Sequence, residues 1–401
     1  MTDTDLTTDR LTGPTTGTTP DPTTDLAAGP SADDQDAATL EAMEQAEALV
    51  GRLLESYTAG AELLTVEVGR RLGLYAHLDV AGPSTVAQLA HAAQIPERYA
   101  REWLEQQGAA GLLDVVEPAA GGEPRERRFV LPAGHAPVLL DPDSPGHVVG
   151  LAPLLLAVAR TVPTLVDAIR SGAGVPYAEY GPDLRDAIAS INRPGFVHGL
   201  RSWVHTLPDV AERLARGGTV LDAGTGEGWS AIALATAFPA ARVVAVDLDE
   251  ASVERARQNV RAAGLAGRVR VVVANAADTG ALTAAVGGPV DLVTTFQALH
   301  DMGRPADALR AFRSLLAPGG AVLIGDEAGP EEYVAPADGR TRLQYAVSVL
   351  HCLPATWAED AGDPNGTVLR PSTVQRWARE AGFDGAQQLS VDHPFWRFFR
   401  L

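Results

Sequence analysis

The sequence is poor in cysteine, in aromatic residues and in positive charge. Its 401 residues include one Cys and 5% aromatic residues, and 32 Lys and Arg stand against 51 Asp and Glu, a formal net charge of −19. The single cysteine, Cys352, excludes an internal disulfide and a cysteine-cluster metal site, so we expect no metal. It favours a reducing, cytoplasmic location. The acidic excess makes nucleic acid an unlikely partner for the chain as a whole.

Targeting signals are also missing. The N-terminus is acidic and lacks the basic start and apolar core of a secretory signal, so none is expected. The longest apolar stretch, residues 148–166, is interrupted by Pro153, Arg160 and Pro163. Such a stretch suits buried helices better than a bilayer span, and we therefore expect no membrane association.

Residues 1–38 differ in composition from the rest of the chain. They contain eight Asp and one Arg among many Thr and Pro residues. A segment with so few apolar side chains cannot bury enough surface to fold by itself. The composition predicts a disordered acidic leader over residues 1–38.

Residues 40–135 follow the element order of a winged helix. Apolar residues recur three and four positions apart between residues 49 and 72, which is helical spacing. Two shorter helices, "STVAQLAHAAQ" and "PERYAREWLEQQG", precede two strands that flank a charged loop at residues 118–127. This order is typical of DNA-binding winged helices and also of related packing or dimerisation domains.

The charge of the second short helix favours packing or dimerisation over DNA binding. Arg98 and Arg101 lie among Glu97, Glu102 and Glu105. A helix that approaches phosphates needs a net positive face, which this helix lacks.

A helical linker over residues 136–216 leads to an α/β domain over residues 217–401. In that domain short β-branched runs alternate with amphipathic helices, which predicts a parallel, doubly wound sheet. Two consecutive strands near the C-terminus, "AQQLSVD" and "HPFWRFFRL", predict an antiparallel hairpin that closes the sheet.

A glycine-rich loop, "VLDAGTGEGWS" over residues 220–230, follows the first strand of this domain. Gly224, Gly226 and Gly228 let the backbone turn tightly and approach a ligand. Asp247 ends the second strand, where a carboxylate can accept hydrogen bonds from ribose hydroxyls. Together the loop and the acid predict a nucleoside site.

The carboxylates beside the glycines indicate which nucleoside is bound. A pyrophosphate at this loop would meet Asp222 and Glu227, and like charges at close range repel. S-adenosylmethionine carries adenosine without phosphate, together with a sulfonium and an ammonium group. We therefore expect S-adenosylmethionine as the cofactor.

The residues 40–401 resemble a bacterial group of class I S-adenosylmethionine-dependent methyltransferases that carry an N-terminal winged-helix domain. The likeness rests on "VLDAGTGEG", "VVAVDLD", "GVPYAEYG", "INRPGF", "LHDMGRP", "SVLHCLP" and "FWRFFRL". It implies a Rossmann-like seven-stranded sheet with a terminal antiparallel hairpin. It also implies a cofactor site formed by Asp222, Gly224, Thr225, Gly226, Gly228, Asp247, Leu248, Asn275, Ala276 and Phe296.

Within that site the resemblance implies separate roles. Asp222 would lie near the amino group of the cofactor, Asp247 would bind the ribose, and Leu248 would lie against the adenine. At the third strand the group usually has an aspartate, where this chain has Asn275; an amide oxygen can still accept the adenine hydrogen bond.

His300 is the candidate base for methyl transfer to a hydroxyl group. It follows the fourth strand in "FQALHDM", and ligands of open α/β sheets bind outside the carboxyl ends of strands. Asp301, Asp326 or Glu327 could orient the imidazole. A structural role, with the imidazole bonded to the backbone, remains the alternative.

The acceptor side is less well specified by the sequence. Tyr177, Tyr180 and His351 are candidates for the wall of an acceptor pocket. An adjacent pair, His351 and Cys352, is not expected to act together, because neighbouring residues on a helix point apart.

The predicted function is S-adenosylmethionine-dependent O-methylation of a small hydroxyl- or phenol-bearing metabolite by a homodimer. A cofactor-binding winged-helix regulator without methyl transfer is the first alternative, and a catalytically idle scaffold is the second.

Overall fold

The computed structural model describes residues 32–120, 122–359, 362 and 364–401, and it divides into two units. In the unit of residues 1–58, the described part is the beginning of helix α1 (Ala32–Arg71). The predicted leader ends at residue 38, whereas the helix already includes residues 32–38, which are alanine, aspartate and glutamine and suit a helix N-terminus. Residues 1–31 of the leader lie outside the described residues. The other unit is residues 59–401.

The predicted winged-helix order is present at the start of the second unit. Thr85 caps α3, because its hydroxyl accepts from Gln88 N while the Gln88 side chain accepts from Thr85 N. The two strands pair antiparallel, with Val115 opposite Phe129. The elements are α2 (Leu74–Ala81), α3 (Val86–Ala93), α4 (Glu97–Ala109), β1 (Asp114–Val116), β2 (Arg128–Val130) and α5 (Ala136–Leu139).

Three helices connect this module to the α/β part: α6 (Leu151–Ser171), α7 (Gly181–His205) and α8 (Pro208–Ala215). Among the described residues, α6 is the one helix long and apolar enough to cross a membrane by length and composition. It carries Pro163 in its interior, and its residues Ala157, Val158 and Leu165 are buried in a core shared with Leu184 of α7.

The α/β part is a seven-stranded sheet in the order β5-β4-β3-β6-β7-β9-β8. Strands β3 to β7 pair in parallel with one another, while β9 is antiparallel to both β7 and β8, as the predicted C-terminal hairpin requires. The strands are β3 (Thr219–Ala223), β4 (Arg242–Asp247), β5 (Val269–Val273), β6 (Val290–Phe296), β7 (Leu316–Glu327), β8 (Gln387–Leu389) and β9 (Trp396–Arg400).

Helices cover both faces of the sheet, and the strand sequences explain how. Alternate residues of β4 point to opposite faces, so Val243 and Ala245 join one core while Val244 and Val246 join the other. Helices α7, α8, α9 (Trp229–Ala237) and α10 (Glu250–Ala262) pack on one face, and α11 (Thr279–Val286), α12 (Pro305–Leu315) and α15 (Pro371–Glu380) pack on the other. Two further helices, α13 (Gly339–Val347) and α14 (Leu353–Trp357), lie between β7 and α15 along the chain. A π-helical turn, Ser348–Cys352, lies between α13 and α14.

The chain order of the strands reverses at β3. The connection from β3 leads outward to β4 on one side, and the later strand β6 pairs with β3 on the other. A crevice forms at such a switch point, outside the carboxyl ends of the strands. The topology therefore places a ligand site after β3, β4 and β6.

Candidate active site

A cavity of about 1040 Å³ lies at the predicted edge of the sheet. It is large enough for a drug-sized ligand with room to spare. Ten of the residues that the sequence nominates line it: Tyr177, Gly224, Thr225, Gly226, Asp247, Leu248, Asn275, Ala276, Phe296 and Asp301. Five do not: Tyr180, Asp222, Gly228, His300 and His351.

The glycine loop forms one wall of the cavity. Gly224 and Gly226 have φ of 75° and 52°, a region that favours glycine. A Cβ on Gly224 would lie 2.4 Å from the Ala298 Cβ, whereas a Cβ on Gly226 would meet open space. The first glycine therefore permits close packing against the end of β6, and the second leaves room above the loop.

Asp247 holds this loop from the neighbouring strand. Its Oδ2 accepts from the backbone N–H of Gly226 at 2.7 Å, and its Oδ1 accepts from that of Asp249 at 3.0 Å. Burial raises the pKa of Asp247 although both backbone donors act to lower it. The carboxylate thus lies at the cavity wall with lone pairs remaining for hydroxyl donors.

Leu248 and Asn275 flank Asp247 along the cavity. Leu248 is 48% exposed, which leaves its apolar face open to a flat ligand. The Asn275 Oδ1 already accepts from Ala277 N at 2.8 Å. That oxygen keeps a second lone pair, which can accept the predicted adenine hydrogen bond.

The prediction for Asp222 needs correction. It is 1% exposed and does not reach the cavity. Its carboxylate accepts from the hydroxyls of Thr225 (2.7 Å), Ser230 (2.6 Å) and Thr294 (2.7 Å). Burial raises the pKa of Asp222, and these three donors act in the opposite direction. Asp222 therefore organises the loop from below and does not form an acidic mouth.

Gly228 also has a packing role. Its φ is 85°, and a Cβ there would lie 3.0 Å from the Ala256 Cβ of α10. The third glycine of the motif allows α9 and α10 to approach each other and does not line the cavity.

His300 is almost fully buried, with 2% exposure, at the end of β6. Its Nδ1 lies 2.6 Å from Asp326 Oδ1, and its backbone N–H donates to Asp326 Oδ2 at 3.2 Å. Its Nε2 lies 3.2 Å from Asp301 Oδ1. Of the three orienting groups that the sequence left open, Asp326 is thus the one that fixes the ring.

The electrostatics around His300 favour the imidazolium. Burial acts to lower the pKa of His300, but the charges of Asp301 and Asp326 and the hydrogen bond to Asp326 outweigh it. The pKa of His300 therefore lies well above 6.5. Because the ring is not part of the cavity wall, Asp301 is the member of the pair that faces a ligand.

A polar chain beside His300 was missed by the sequence reasoning. The Asn192 amide donates to the Gln297 side chain, and Gln297 Nε2 donates to Glu327 Oε1 at 2.7 Å. Gln344 Nε2 donates to the other Glu327 oxygen at 2.7 Å. Asn192 and Gln297 both line the cavity. Asn192 belongs to "INRPGF", one of the stretches that carry the family likeness, and Gln297 belongs to "FQALHDM", the stretch that contains His300.

The sequence reasoning also missed an ion pair at the cavity wall, beside Asp247. The Arg185 guanidinium donates to both oxygens of Asp249, at 2.6 and 3.0 Å, and lies 5.6 Å from the centre of the Tyr177 ring. Arg185, Asp249 and Tyr177 all line the cavity. This bidentate pair spans 64 residues of sequence, which local spacing does not reveal.

Tyr180 and His351 lie behind the cavity wall, contrary to expectation. The Tyr180 hydroxyl donates to Leu350 O at 3.0 Å, and the His351 ring packs edge-on against Tyr180 and Tyr177, with centroid separations of 4.7 and 5.7 Å. They support Tyr177, which does line the cavity.

His351 and Cys352 also contradict the expectation that they point apart. The His351 Nδ1 lies 3.4 Å from the Cys352 Sγ. Both residues belong to the π-helical turn Ser348–Cys352, and the wider turn changes the directions of successive side chains.

Two family models match the chain. A methyltransferase domain matches residues 220–320, and an Rv2258c-like winged HTH domain matches residues 60–140. The release factor glutamine methyltransferase of Chlorobaculum tepidum is 41% identical over 22% of this chain and 32% of its own length. The ubiquinone biosynthesis O-methyltransferase of Pseudomonas paraeruginosa is 29% identical over 46% of this chain and 73% of its own length. The chain thus covers about a third of the length of the release factor glutamine methyltransferase.

Solved structures share the fold over most of the chain. Mitomycin 7-O-methyltransferase is 19% identical, with a TM-score of 0.61 over 90% of this chain and 99% of its own. Human N-acetylserotonin methyltransferase, in complex with S-adenosylmethionine, is 18% identical, with a TM-score of 0.59 over 88% of this chain and 96% of its own. At these identities the likeness concerns the fold.

The sheet order, the glycine loop and the matching domains define a methyltransferase of the class I fold. The prediction of a class I S-adenosylmethionine-dependent methyltransferase with an N-terminal winged-helix domain is confirmed. The residues present fit its cofactor: open space lies above Gly226, Asp247 offers lone pairs to hydroxyls, and carboxylates surround a place suited to positive charge.

The packing role of Gly228 can be tested by stability. Gly228→Ala should lower the free energy of unfolding by about 2–3 kcal/mol, because positive φ and the contact with α10 both oppose a Cβ. Gly287→Ala has a similar φ of 75° but open space, so it should cost only about 1 kcal/mol. Urea unfolding followed by tryptophan fluorescence measures both, and equal losses would contradict the packing role.

Proposed function

We propose that this protein methylates a hydroxyl group of a small organic molecule, a phenol or a related metabolite. The single observation that carries the proposal is His300, a buried histidine that Asp326 orients directly behind Asp301, which lines the cavity. S-adenosylmethionine would supply the activated methyl group. The protein has to align the acceptor and remove its proton.

The proton path follows from which groups face the cavity. Asp301 lines the cavity, and its Oδ1 lies 3.2 Å from His300 Nε2. An acceptor hydroxyl hydrogen-bonded to Asp301 can therefore deliver its proton through this carboxylate to neutral His300. Asp326 stabilises the imidazolium that results.

The cofactor would lie along the glycine loop, with its ribose at Asp247 and its adenine between Leu248 and the residues Asn275 and Ala276. Phe296 lines the same cavity next to Gln297. Gly224, Thr225 and Gly226 would contact the cofactor, whereas Asp222 and Gly228 would act through the shape of the loop. Tyr177 would separate the nucleoside side from the acceptor side.

Relatives support a small acceptor. The proteins named above include O-methyltransferases of ubiquinone and mitomycin biosynthesis. The alternative of a winged-helix regulator receives no such support. Arg98 lies on α4, the helix that would contact DNA, and it pairs there with Glu102. We propose a cytoplasmic enzyme of secondary metabolism that works without nucleic acid and without membrane attachment.

We also propose a homodimer that forms through α1. Leu49, Leu53, Leu54 and Tyr57 are 53–77% exposed, and an exposed apolar stripe of this kind on a helix indicates a partner surface. The predicted division into residues 40–135, 136–216 and 217–401 assigns this helix to the dimerisation domain.

Cofactor affinity tests the ribose site. Asp247→Asn removes a charged acceptor and weakens the anchor of Gly226, so the Kd for S-adenosylhomocysteine should rise about 10–100-fold. Asp278→Asn removes a carboxylate from the same cavity but keeps a side chain that can cap α11, so its Kd should stay within about twofold. Isothermal calorimetry that finds equal losses would refute the assignment.

The pH dependence of methyl transfer tests His300. Since only neutral His300 accepts a proton, kcat/KM should rise with pH through the raised pKa of His300. Asp326→Asn removes one cause of that raised pKa, so the rising limb should move to lower pH. His300→Ala should abolish the rising limb of the pH profile and lower kcat by about 10²–10⁴-fold. If the pH profile of kcat/KM with phenolic acceptors is unchanged in His300→Ala, His300 is not the base.

The oligomeric state of variants in α1 tests whether this helix forms the dimer interface. Leu49→Glu combined with Leu53→Glu should convert the dimer to a monomer in sedimentation equilibrium, because charges would replace buried apolar contacts. Arg52→Glu, on the same helix, is the matched control and should stay dimeric. A wild-type monomer at micromolar concentration would contradict the proposal.

A further inference from the structure

Three metal-ligating side chains meet next to the cofactor cavity. His300 and Asp301 follow β6, and Cys352 ends the π-helical turn. One ligand atom from each of the three residues, an imidazole N, a carboxylate O and the Cys352 Sγ, lies within 4.8 Å of the other two. His300 and Cys352 are buried, and Asp301 borders the cavity.

The spacing suits a small divalent cation. His300 Nε2 and Asp301 Oδ1, two of the three ligand atoms, are 3.2 Å apart. With metal–ligand bonds of about 2.0–2.1 Å, this separation corresponds to an angle of about 100° at the metal, close to tetrahedral. Hydrogen bonding of Nδ1 to Asp326 at 2.6 Å fixes the ring so that Nε2 faces the cluster. A carboxylate behind a metal-binding histidine commonly has this role.

An unsatisfied atom gives independent support. Asp301 Oδ1 is buried and accepts no hydrogen bond from a described residue, although it lies 3.2 Å from His300 Nε2. A buried anionic oxygen without a donor is costly. A cation placed between Asp301, His300 and Cys352 would satisfy it.

We propose that His300, Asp301 and Cys352 form a binding site for Zn²⁺, with water as the remaining ligand. The mixed imidazole, carboxylate and thiolate donors favour zinc over magnesium or calcium. The sequence prediction of no metal rested on the absence of a cysteine cluster, and one cysteine suffices here.

Metal binding and proton transfer exclude each other at this site. A metal ion takes the Nε2 lone pair that would accept the proton, so bound zinc should inhibit methyl transfer. Only this consequence rests on the proposed function; metal binding itself does not.

Cobalt is the spectroscopic probe. Co²⁺ added to the full-length, chelator-treated protein should bind one ion per chain, with a thiolate-to-cobalt band in the near ultraviolet and visible bands of a four-coordinate site. Cys352→Ser should lose the near-ultraviolet band. Asp301→Asn, and Asp326→Asn behind the histidine, should weaken binding about tenfold or more. Asp307→Asn, a carboxylate of the same cavity outside the cluster, should bind like wild type.

The outcomes separate this proposal from the proposed function. Absence of the thiolate band in wild-type protein, or its persistence in Cys352→Ser, overturns the metal site and leaves methyl transfer untouched. Thermal unfolding of each variant identifies a misfolded one, and in that event the wild-type spectrum and Zn²⁺ competition decide. Methyl transfer that zinc does not inhibit, in a protein that shows the cobalt band, would overturn the exclusion between metal and base.

Discussion

The buried carboxylate of Asp222 is the interaction on which the active-site architecture depends. It accepts three hydroxyl hydrogen bonds, from the glycine loop at Thr225, from helix α9 at Ser230 and from strand β6 at Thr294. Removing one donor would leave a carboxylate partly unsatisfied in a dry interior, which is costly. Because the three donors belong to different elements, one side chain of β3 fixes the relative positions of loop, helix and neighbouring strand.

The second fixed point lies one strand further along the sheet. His300 follows β6, and Asp326 lies near the end of the adjacent parallel strand β7, so the register of two strands brings imidazole and carboxylate to 2.6 Å. The short 3₁₀ turn Leu299–Asp301 carries His300 from the end of β6 to this carboxylate. Asp222 holds β6 to the glycine loop, and the same strand therefore links that loop to His300, the proposed proton acceptor.

The sequence predicted elements better than side-chain directions. Alternating apolar residues specified the parallel strands and the closing hairpin, because burial on both faces dictates that pattern. The sequence predicts Asp222 at the ligand because it belongs to the glycine motif, yet three hydroxyl donors hold its carboxylate in the interior. The contact between His351 and Cys352 depends on a π-helical turn, and the Arg185–Asp249 pair depends on tertiary packing. Local spacing encodes neither.

Charge explains why a nucleoside without phosphate suits this cavity even though Asp222 is sealed away. Glu227, Asp247 and Glu359 line it, while Arg185 is engaged by Asp249. Burial raises the pKa of Glu227 to about 7, and repulsion by the neighbouring Asp186 carboxylate acts in the same direction. A pyrophosphate would intensify that repulsion, whereas a sulfonium and an ammonium group would relieve it. The preference thus comes from the carboxylates around the cavity and does not require an acid beneath the loop.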